Sequence, residues 1–476
     1  MAEMKESETT IAKLTDFVAQ TEFKNLPAEV VQETKRVLLD SIGCGLGGTV
    51  SDKGKWGLEF CRQHFSGPSQ STVIGFGDKM SAMGAAFVNG ELINALDYDA
   101  ILPPGHVSPF VIPAILAAAE MAGASGKDVI TACALAHEIS TRVGGALSYY
   151  RDVVDGKVVW PAVAGYSCCV FGGAGGVAKI KKFSKDGIGN AMSMAGHIAP
   201  IQAMTSWATS RRPTTAKYLL AGWTSQAELT ATSLVEIGHS GNVFIMDGDY
   251  GFWRFAGSPK WNAAPVVDGL GKVWRFPAVT SYKPFPCCRI FAGVLDCLTY
   301  IVEKENLKPE EIESIKAYPE SNIAQPLFQE RAVVNQSGVQ FNVAYNLAVA
   351  AHGVKPGPRW QSTEMLRDKR ILGFMEKISY EPHPGFAKAL QEDPRSRIAK
   401  VEVKARGKVF TEERKFPKGS PSPDPGTFTT NEELAAKFRD NASHIIPSNK
   451  VDEAIDRLLE LESVGDVRKI MGLVSV

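Results

Sequence analysis

The sequence predicts a mainly α-helical protein: a large all-α helical domain formed by both chain ends, with a smaller α+β lid domain inserted into it. Three observations carry this expectation. Residues up to about 275 read as one apolar helix after another, the texture then changes to alternating apolar and polar residues, and from Asn431 the helical pattern returns. The expected boundaries are 1–275 completed by 430–476 for the helical domain, and 276–429 for the lid. A chain of 476 residues is also long for one core, which favours two domains of unequal size.

The elements follow in order. "IAKLTDFVAQ" puts Ile11, Leu14, Phe17 and Val18 on one helical face, and "PAEVVQETKRVLLDSIGCGLGG" opens with Pro27 and ends in glycines. "SPFVIPAILAAAEMAG", "GKDVITACALAHEISTRV", "PAVAGYSCCVFGGAGGVAKI" and "SKDGIGNAMSMAG" come next. Several are apolar nearly all round and rich in small residues, which suits helices packed in the middle of a bundle. "TTAKYLLAGWTSQAELTATSLVEIG" reads as one long helix with a threonine cap and Gly238 at its end. "PCCRIFAGVLDCLTYIVEKENL" is helical, whereas "EIESIKAYPE", "FMEKISYEPH" and "RIAKVEVKARGKVFTEERKF" alternate like strands. In the last of these "ARGK" would turn a β-hairpin, and "PKGSPSPDPGTF" is a linker back to helix.

Acidic and basic residues balance at 52 each, which argues against general nucleic-acid or anionic-membrane binding. "MAEMKESETT" is charged and lacks an apolar core, so no secretory signal is expected, and the apolar run from Phe110 is too short to span a bilayer. The eight cysteines lack zinc-site spacing. Reduced, buried thiols in a cytoplasmic protein are expected, with no metal.

"NALDYDAILPPGHVSPF", Asn94 to Phe110, is the most informative stretch. Asp97 and Asp99 alternate with Tyr98, so both carboxylates point the same way if the segment is extended. Ser108-Pro109 reads as a capping hydroxyl followed by proline at the first helical position. His106 would then stand two residues before a helix N-terminus, whose free N–H groups favour an anion. Other suggestive stretches carry less. "FGGAGGVAKIKK" lacks the Gly-Lys-Ser/Thr ending of a phosphate loop and reads as a tightly packed helix. His137 in "AHEIS" has no second histidine four residues on, and reads as a hydrogen-bonded core residue. Cys287 and Cys288 follow Pro286 near a helix start, with no histidine fixed beside them by sequence.

"VNGELINALDYDAILPPGHVSPFVIPAILAAAE" resembles the signature segment of the MmgE/PrpD family, which includes 2-methylcitrate dehydratase, cis-aconitate decarboxylase and iminodisuccinate epimerase. "LLDSIGCGLGG" looks like the family's second helix and "DPGTFTTNEELAAKFRDNAS" like its closing segment, so the likeness runs along nearly the whole chain. The resemblance implies a helical domain with an inserted lid, a homodimer, and a cofactor-independent site between the domains. Asp97 matches the first aspartate of the family's Asp-aromatic-Asp run, and His106 its histidine, with one residue fewer in the intervening loop. Lys217 in "TAKYLLAGW", Lys283 in "SYKPFPCCR" and Tyr345 in "QFNVAYNLAVA" match two lysines and a tyrosine of the family's site. The chain departs from the pattern where Trp160 replaces a histidine and where Ala100 replaces the second aspartate of a pair.

The chemistry that the resemblance implies is proton or carboxyl handling beside a carboxylate, on a small di- or tricarboxylate. Lys217, in the first turn of its helix, and Lys283, from the lid, would cage the charge, with Arg212 and Arg289 adding to it. His106 is the expected general acid/base, oriented by Asp97, because imidazole ordinarily titrates near neutrality. Tyr345 would donate to a carboxylate or relay a proton, unless its apolar neighbours make it a core residue. Asp99 and Trp160 complete the expected pocket, and Trp160 cannot titrate. A lyase is the leading expectation, an isomerase the next, and a silent carboxylate-binding protein the third.

Overall fold

The computed structural model describes residues 4–147, 151–159, 165–201, 204–211, 214–217 and 220–476, with the side chains of Met204 and Thr205 left aside. The first part is helical: α1 (Thr10–Gln20), α2 (Ala28–Gly48), α3 (Asp52–His64), α4 (Ala82–Ile93), α5 (Ser108–Ala122), α6 (Gly126–Ala146), α7 (Cys169–Ile180), α8 (Lys185–His197), α9 (Met204–Thr209) and α10 (Ala221–Glu236). Local chemistry sets many of the ends. Thr9, Ser51, Ser81, Ser125 and Ser184 each accept a backbone N–H at a helix start, and Gly123 (φ 60°) ends α5 in the left-handed conformation. All four residues expected on the inner face of α1 are buried.

Two expectations about helix starts need correction. Ser108 does not cap α5: it lies inside the helix behind Val107, and its hydroxyl is spent on His137 Nε2 at 3.1 Å. The long helix expected from Thr214 begins instead at Ala221, behind an extended Leu220. The tight packing expected of α7 is present. A Cβ added at Gly172 would strike the Ala136 carbonyl, and one at Gly173 the Glu228 carboxyl. Only a bare α-carbon lets these helices approach so closely.

The alternating segments form one four-stranded sheet. Its strands are β3 (Ile312–Tyr318), β4 (Ile378–Tyr380), β5 (Ala399–Ala405) and β6 (Lys408–Arg414), numbered after the β1 and β2 of a small hairpin at Ile101–Leu102 and Gly105–His106. The order is β6-β5-β3-β4, with β3 and β4 parallel and the other pairs antiparallel. β5 and β6 turn through Arg406 (φ 52°) and Gly407 (φ 68°), the two left-handed residues a tight hairpin needs. Ala399, Val401, Val403 and Ala405 alternate inward, and α11 (Ala292–Lys304) packs on that face through Gly293 and Cys297.

Buried apolar residues gather accordingly. One cluster draws its members from Phe285 to Ala405, whereas the two large clusters of the helical part run from Ile11 to Tyr282 and recruit Leu434 to Val474. The chain end thus returns to the helices: α12 (Asn431–Ala442), opened by a Thr430–Glu433 capping box, lays Phe438 against Gly43 of α2. Among the described residues, no helix is long and apolar enough to cross a membrane.

Candidate active site

The stretch between α4 and α5 is a folded loop, not an extended segment. Asp97 has φ 53°, a left-handed conformation that aspartate tolerates better than most residues. Ala100 N donates to Asp40 Oδ2 at 3.0 Å, and the chain then forms the β1–β2 hairpin, whose turn holds the cis Pro103–Pro104 bond. Ile101 stands opposite His106 on one side and exchanges two backbone hydrogen bonds, both 2.8 Å, with Ser281 on the other. A single strand therefore sets both His106 and the segment that carries Lys283. Gly105 (φ 148°) is required beside it, because a Cβ there would enter the ring of Tyr166, which packs edge-on to His106 at 5.8 Å.

The side chains converge on Asp97. Its Oδ1 lies 2.6 Å from Lys283 Nζ, 3.4 Å from Lys217 Nζ and 3.3 Å from His106 Nε2. Lys283 also donates to the Asp97 carbonyl at 2.6 Å, and Lys217 to the Asn94 carbonyl at 3.1 Å. At the other end of the imidazole, Nδ1 pairs with Asp99 Oδ2 at 2.6 Å. All five groups are buried. The five residues that meet here are all among those named from the sequence. Asp99, expected to meet substrate, pairs with His106 Nδ1, while Asp97, expected to orient the histidine, faces Nε2 and both lysines.

Electrostatics explains why such a cluster is stable. Burial by itself raises the Asp97 pKa, but Lys217, Lys283 and His106 outweigh it and hold the carboxylate well below its usual range. Asp99 is lowered as well, burial being overcome chiefly by His106. For Lys217 burial wins: it pushes the ammonium down to about 8, against the pull of Asp97. An ammonium that releases its proton so near neutrality can serve both as an anion ligand and in proton transfer.

Residues that the sequence reading missed hold the cluster in place. Asn94 Nδ2 donates to Asp99 Oδ1 at 3.2 Å, and Lys53 of α3 donates to Asn94 Oδ1 at 3.2 Å. Lys53 also pairs with Glu91 at 3.3 Å, and Glu91 accepts the Gly222 N–H at 3.0 Å, anchoring the start of α10 a few residues beyond Lys217. From the chain end, Lys437 of α12 pairs with Asp40 at 2.7 Å and donates to the Tyr98 carbonyl at 2.6 Å. Gln340 donates to the Ala95 carbonyl at 2.7 Å, and Gln361 to that of Leu96 at 2.8 Å, both from the α+β part. Lys437 left a trace in the sequence, since it follows Leu434 by three and so shares its buried helical face. The glutamines left none.

The other predicted residues fall elsewhere. Lys217 is not in the first turn of a helix, because α10 starts four residues later. Tyr345 lies in the apolar core of the α+β part, on the helix Val343–Ala351, with its hydroxyl donated to the Trp360 carbonyl at 2.6 Å, a placement that favours the core reading over the proton relay. Arg289 is buried and bonds the hydroxyls of Ser281 and Ser420, tying the two chain segments that join the parts. Trp160 and Arg212 lie outside the described residues. His137 is a hydrogen-bonded core residue as expected, between Cys133 O and Ser108, and burial lowers it to about 4. All eight cysteines are buried and free of disulfides, and burial pushes Cys288 up to about 12, far from a reactive thiolate.

Asp97, Asp99 and His106 offer three ligand atoms within 4.8 Å of one another, a spacing open to a metal ion. The charges around it oppose one. A divalent cation on Asp97 Oδ1 would face the ammonium groups of Lys283 and Lys217, which already share that oxygen.

Fold and site define a class: a helical protein with an α+β part, in which a lysine pair, two aspartates and a histidine meet, buried, where the parts join. The chain belongs to the MmgE/PrpD family. Residues 12–263 match the MmgE/PrpD N-terminal domain and residues 285–461 the C-terminal domain. It is similar to the cis-aconitate decarboxylase of Aspergillus terreus, at 24% identity over 95% of this chain and 93% of that one. It is also similar to the cis-aconitate decarboxylase of Homo sapiens, at 30% identity over 54% of this chain and 50% of that one.

Proposed function

We propose that the protein is a cofactor-independent lyase that removes water or carbon dioxide from a small di- or tricarboxylate. The observation that carries this reading is the convergence of Lys217, Lys283 and His106 on one carboxylate oxygen in a buried site. Groups that hold one carboxylate there suit a substrate carboxylate, and His106 Nε2 lies beside it for proton transfer at the neighbouring carbon. Charge-assisted hydrogen bonds of this kind are strongest where water is excluded. Membership of the family and the likeness to cis-aconitate decarboxylases support the same class of reaction. Residues 276–429 act in this proposal as a lid that brings Lys283, and the working form is a cytoplasmic homodimer.

A second reading is an isomerase that removes and returns a proton beside a carboxylate. It is favoured by Trp160 and Ala100, which stand where the family usually carries histidine and aspartate, leaving His106 as the imidazole of the described cluster. A single acid/base suffices for exchange, whereas elimination also needs a proton for the leaving group. The test is incubation of the purified protein in deuterated water with cis-aconitate, 2-methylcitrate, citrate and iminodisuccinate, followed by NMR. Loss of water or carbon dioxide supports the lyase, and deuterium exchange without net elimination the isomerase. Binding without turnover would leave a silent carboxylate-binding protein, and light scattering tests the dimer.

A further inference from the structure

We propose that Asp97 is a built-in rival of the substrate: its carboxylate occupies the seat, made by Lys283, Lys217 and His106 Nε2, that one carboxylate of the substrate takes over. This inference rests on the polycarboxylate reading given above and adds to it where the ligand sits and what it must displace.

Among the described residues, Asp40, Glu91, Asp97 and Asp99 bring four carboxylates to the cluster, and Lys53, Lys217, Lys283 and Lys437 bring four ammonium groups, all of them buried but Lys437, whose side chain is 9% exposed. A polycarboxylate therefore enters a cluster whose fixed charges already balance. Adding buried negative charge without a new partner is costly, so a resident carboxylate must yield its cations. Each of the other three has its own anchors. Asp40 holds Lys437 and the Ala100 N–H, Glu91 holds Lys53 and the Gly222 N–H, and Asp99 holds His106 Nδ1 and the Asn94 amide. Those partners shape the loop and the helix starts, so releasing them would unmake the site. Asp97 Oδ1 is where the two candidate substrate-binding lysines and the exchangeable end of His106 meet. Turning the Asp97 side chain aside hands all three to an incoming carboxylate. Meanwhile Lys283 keeps its hydrogen bond to the Asp97 carbonyl, so the lysine stays aimed at the seat.

Such a rival raises the ligand concentration needed to fill the site, and it rejects anions that cannot offer a carboxylate in the same place. The test uses the full-length protein and calorimetric titration at about pH 6, where Lys217 carries its proton, with succinate, citrate and tricarballylate as probes. Asp97→Asn keeps the side-chain shape and suits a positive φ while removing the charge. The expected result is tighter binding of at least one probe by Asp97→Asn, by about tenfold or more, which is the yield of one charge-assisted hydrogen bond no longer contested. Asp97→Gly, which accepts the same backbone conformation, should show the same direction and covers the case in which the asparagine form folds poorly. If the wild type binds a probe and both variants bind it equally or more weakly, Asp97 helps to build the seat and the inference is overturned while the functional reading stands. If no probe binds any form, the functional reading falls, and this inference with it.

Discussion

Asp99 Oδ2 sits 2.6 Å from His106 Nδ1, and the opposite ring nitrogen faces Asp97 at 3.3 Å. An ionised Asp99 favours a hydrogen on Nδ1, which directs Nε2 toward the seat where a proton would be exchanged. Asp99→Asn would present either an amide oxygen or an amide NH2 to that nitrogen, so the ring could settle in the wrong tautomer or orientation. Turnover in Asp99→Asn should fall by ~10²-fold or more, while polycarboxylate affinity, set by the lysines, changes by only a few-fold. Parallel measurement of kcat and of binding by calorimetry separates the two effects.

His106→Ala removes the proton-transfer group itself. The fold and most carboxylate binding should survive, because Lys217 and Lys283 remain, but turnover should fall by ~10²–10⁴-fold. A rate within a few-fold of wild type would mean that the acid/base work is done elsewhere, and Lys217 would then be the next group to test.

How far the sequence reached can be judged from these same residues. Asp97, Asp99 and His106 were legible because they crowd into thirteen residues with prolines and a helix start, and the lysines because the family resemblance fixed their register. Their roles were not legible. Which aspartate meets which ring nitrogen depends on the left-handed backbone at Asp97 and on the pairing of Ile101 with Ser281, and neither shows in residue spacing. The sheet and its Arg406-Gly407 turn were plain because alternation and turn chemistry are local. The start of α10 was misread because Leu220 is extended in spite of good helix formers around it. Lys53, Glu91 and Gln361 act across parts of the chain that only folding brings together.

The depressed Lys217 pKa predicts a pH dependence of binding. Lys217 keeps its proton below about 8, whereas a solvated lysine keeps it to about 10.4. Affinity for a polycarboxylate should therefore be flat toward neutral pH and weaken as the pH rises through about 8. Lys217→Met should bind more weakly at neutral pH and lose that limb. Stability changes with the opposite sign: between about 8 and the ordinary lysine value the unfolded chain holds the extra proton, so this group's contribution rises with pH across that window. Calorimetric titration across the range, with and without the substitution, checks both limbs.

Tyr345→Phe separates the core reading from the catalytic one. The hydroxyl donates to the Trp360 carbonyl at 2.6 Å inside the apolar cluster of the α+β part. Its loss should cost about 1–3 kcal/mol of stability, since a buried carbonyl is left without that donor. The rate at a permissive temperature should stay within a few-fold of wild type. A large fall in kcat with an unchanged melting temperature would instead return the tyrosine to the chemistry.

Lys53 holds its ammonium 3.3 Å from Glu91 and 3.2 Å from Asn94 Oδ1. Lys53→Met would strand the Glu91 carboxylate in a buried setting and free the Asn94 amide that helps to hold Asp99. Removing one partner of a buried pair typically costs about 3–5 kcal/mol. Stability should fall by that order, and turnover should fall beyond what the folded fraction explains, because Asn94 and the Gly222 end of α10 both lose their tether. Replacing both members of the pair, as Lys53→Met with Glu91→Gln, removes the stranded charge and should recover much of the stability, since paired buried charges are often replaceable together. It should not recover the rate, because Asn94 still lacks its donor. Denaturant unfolding and steady-state kinetics on the two single variants and the double variant complete the cycle. Recovery of both quantities together would show that Lys53 only balances charge and does not position the site.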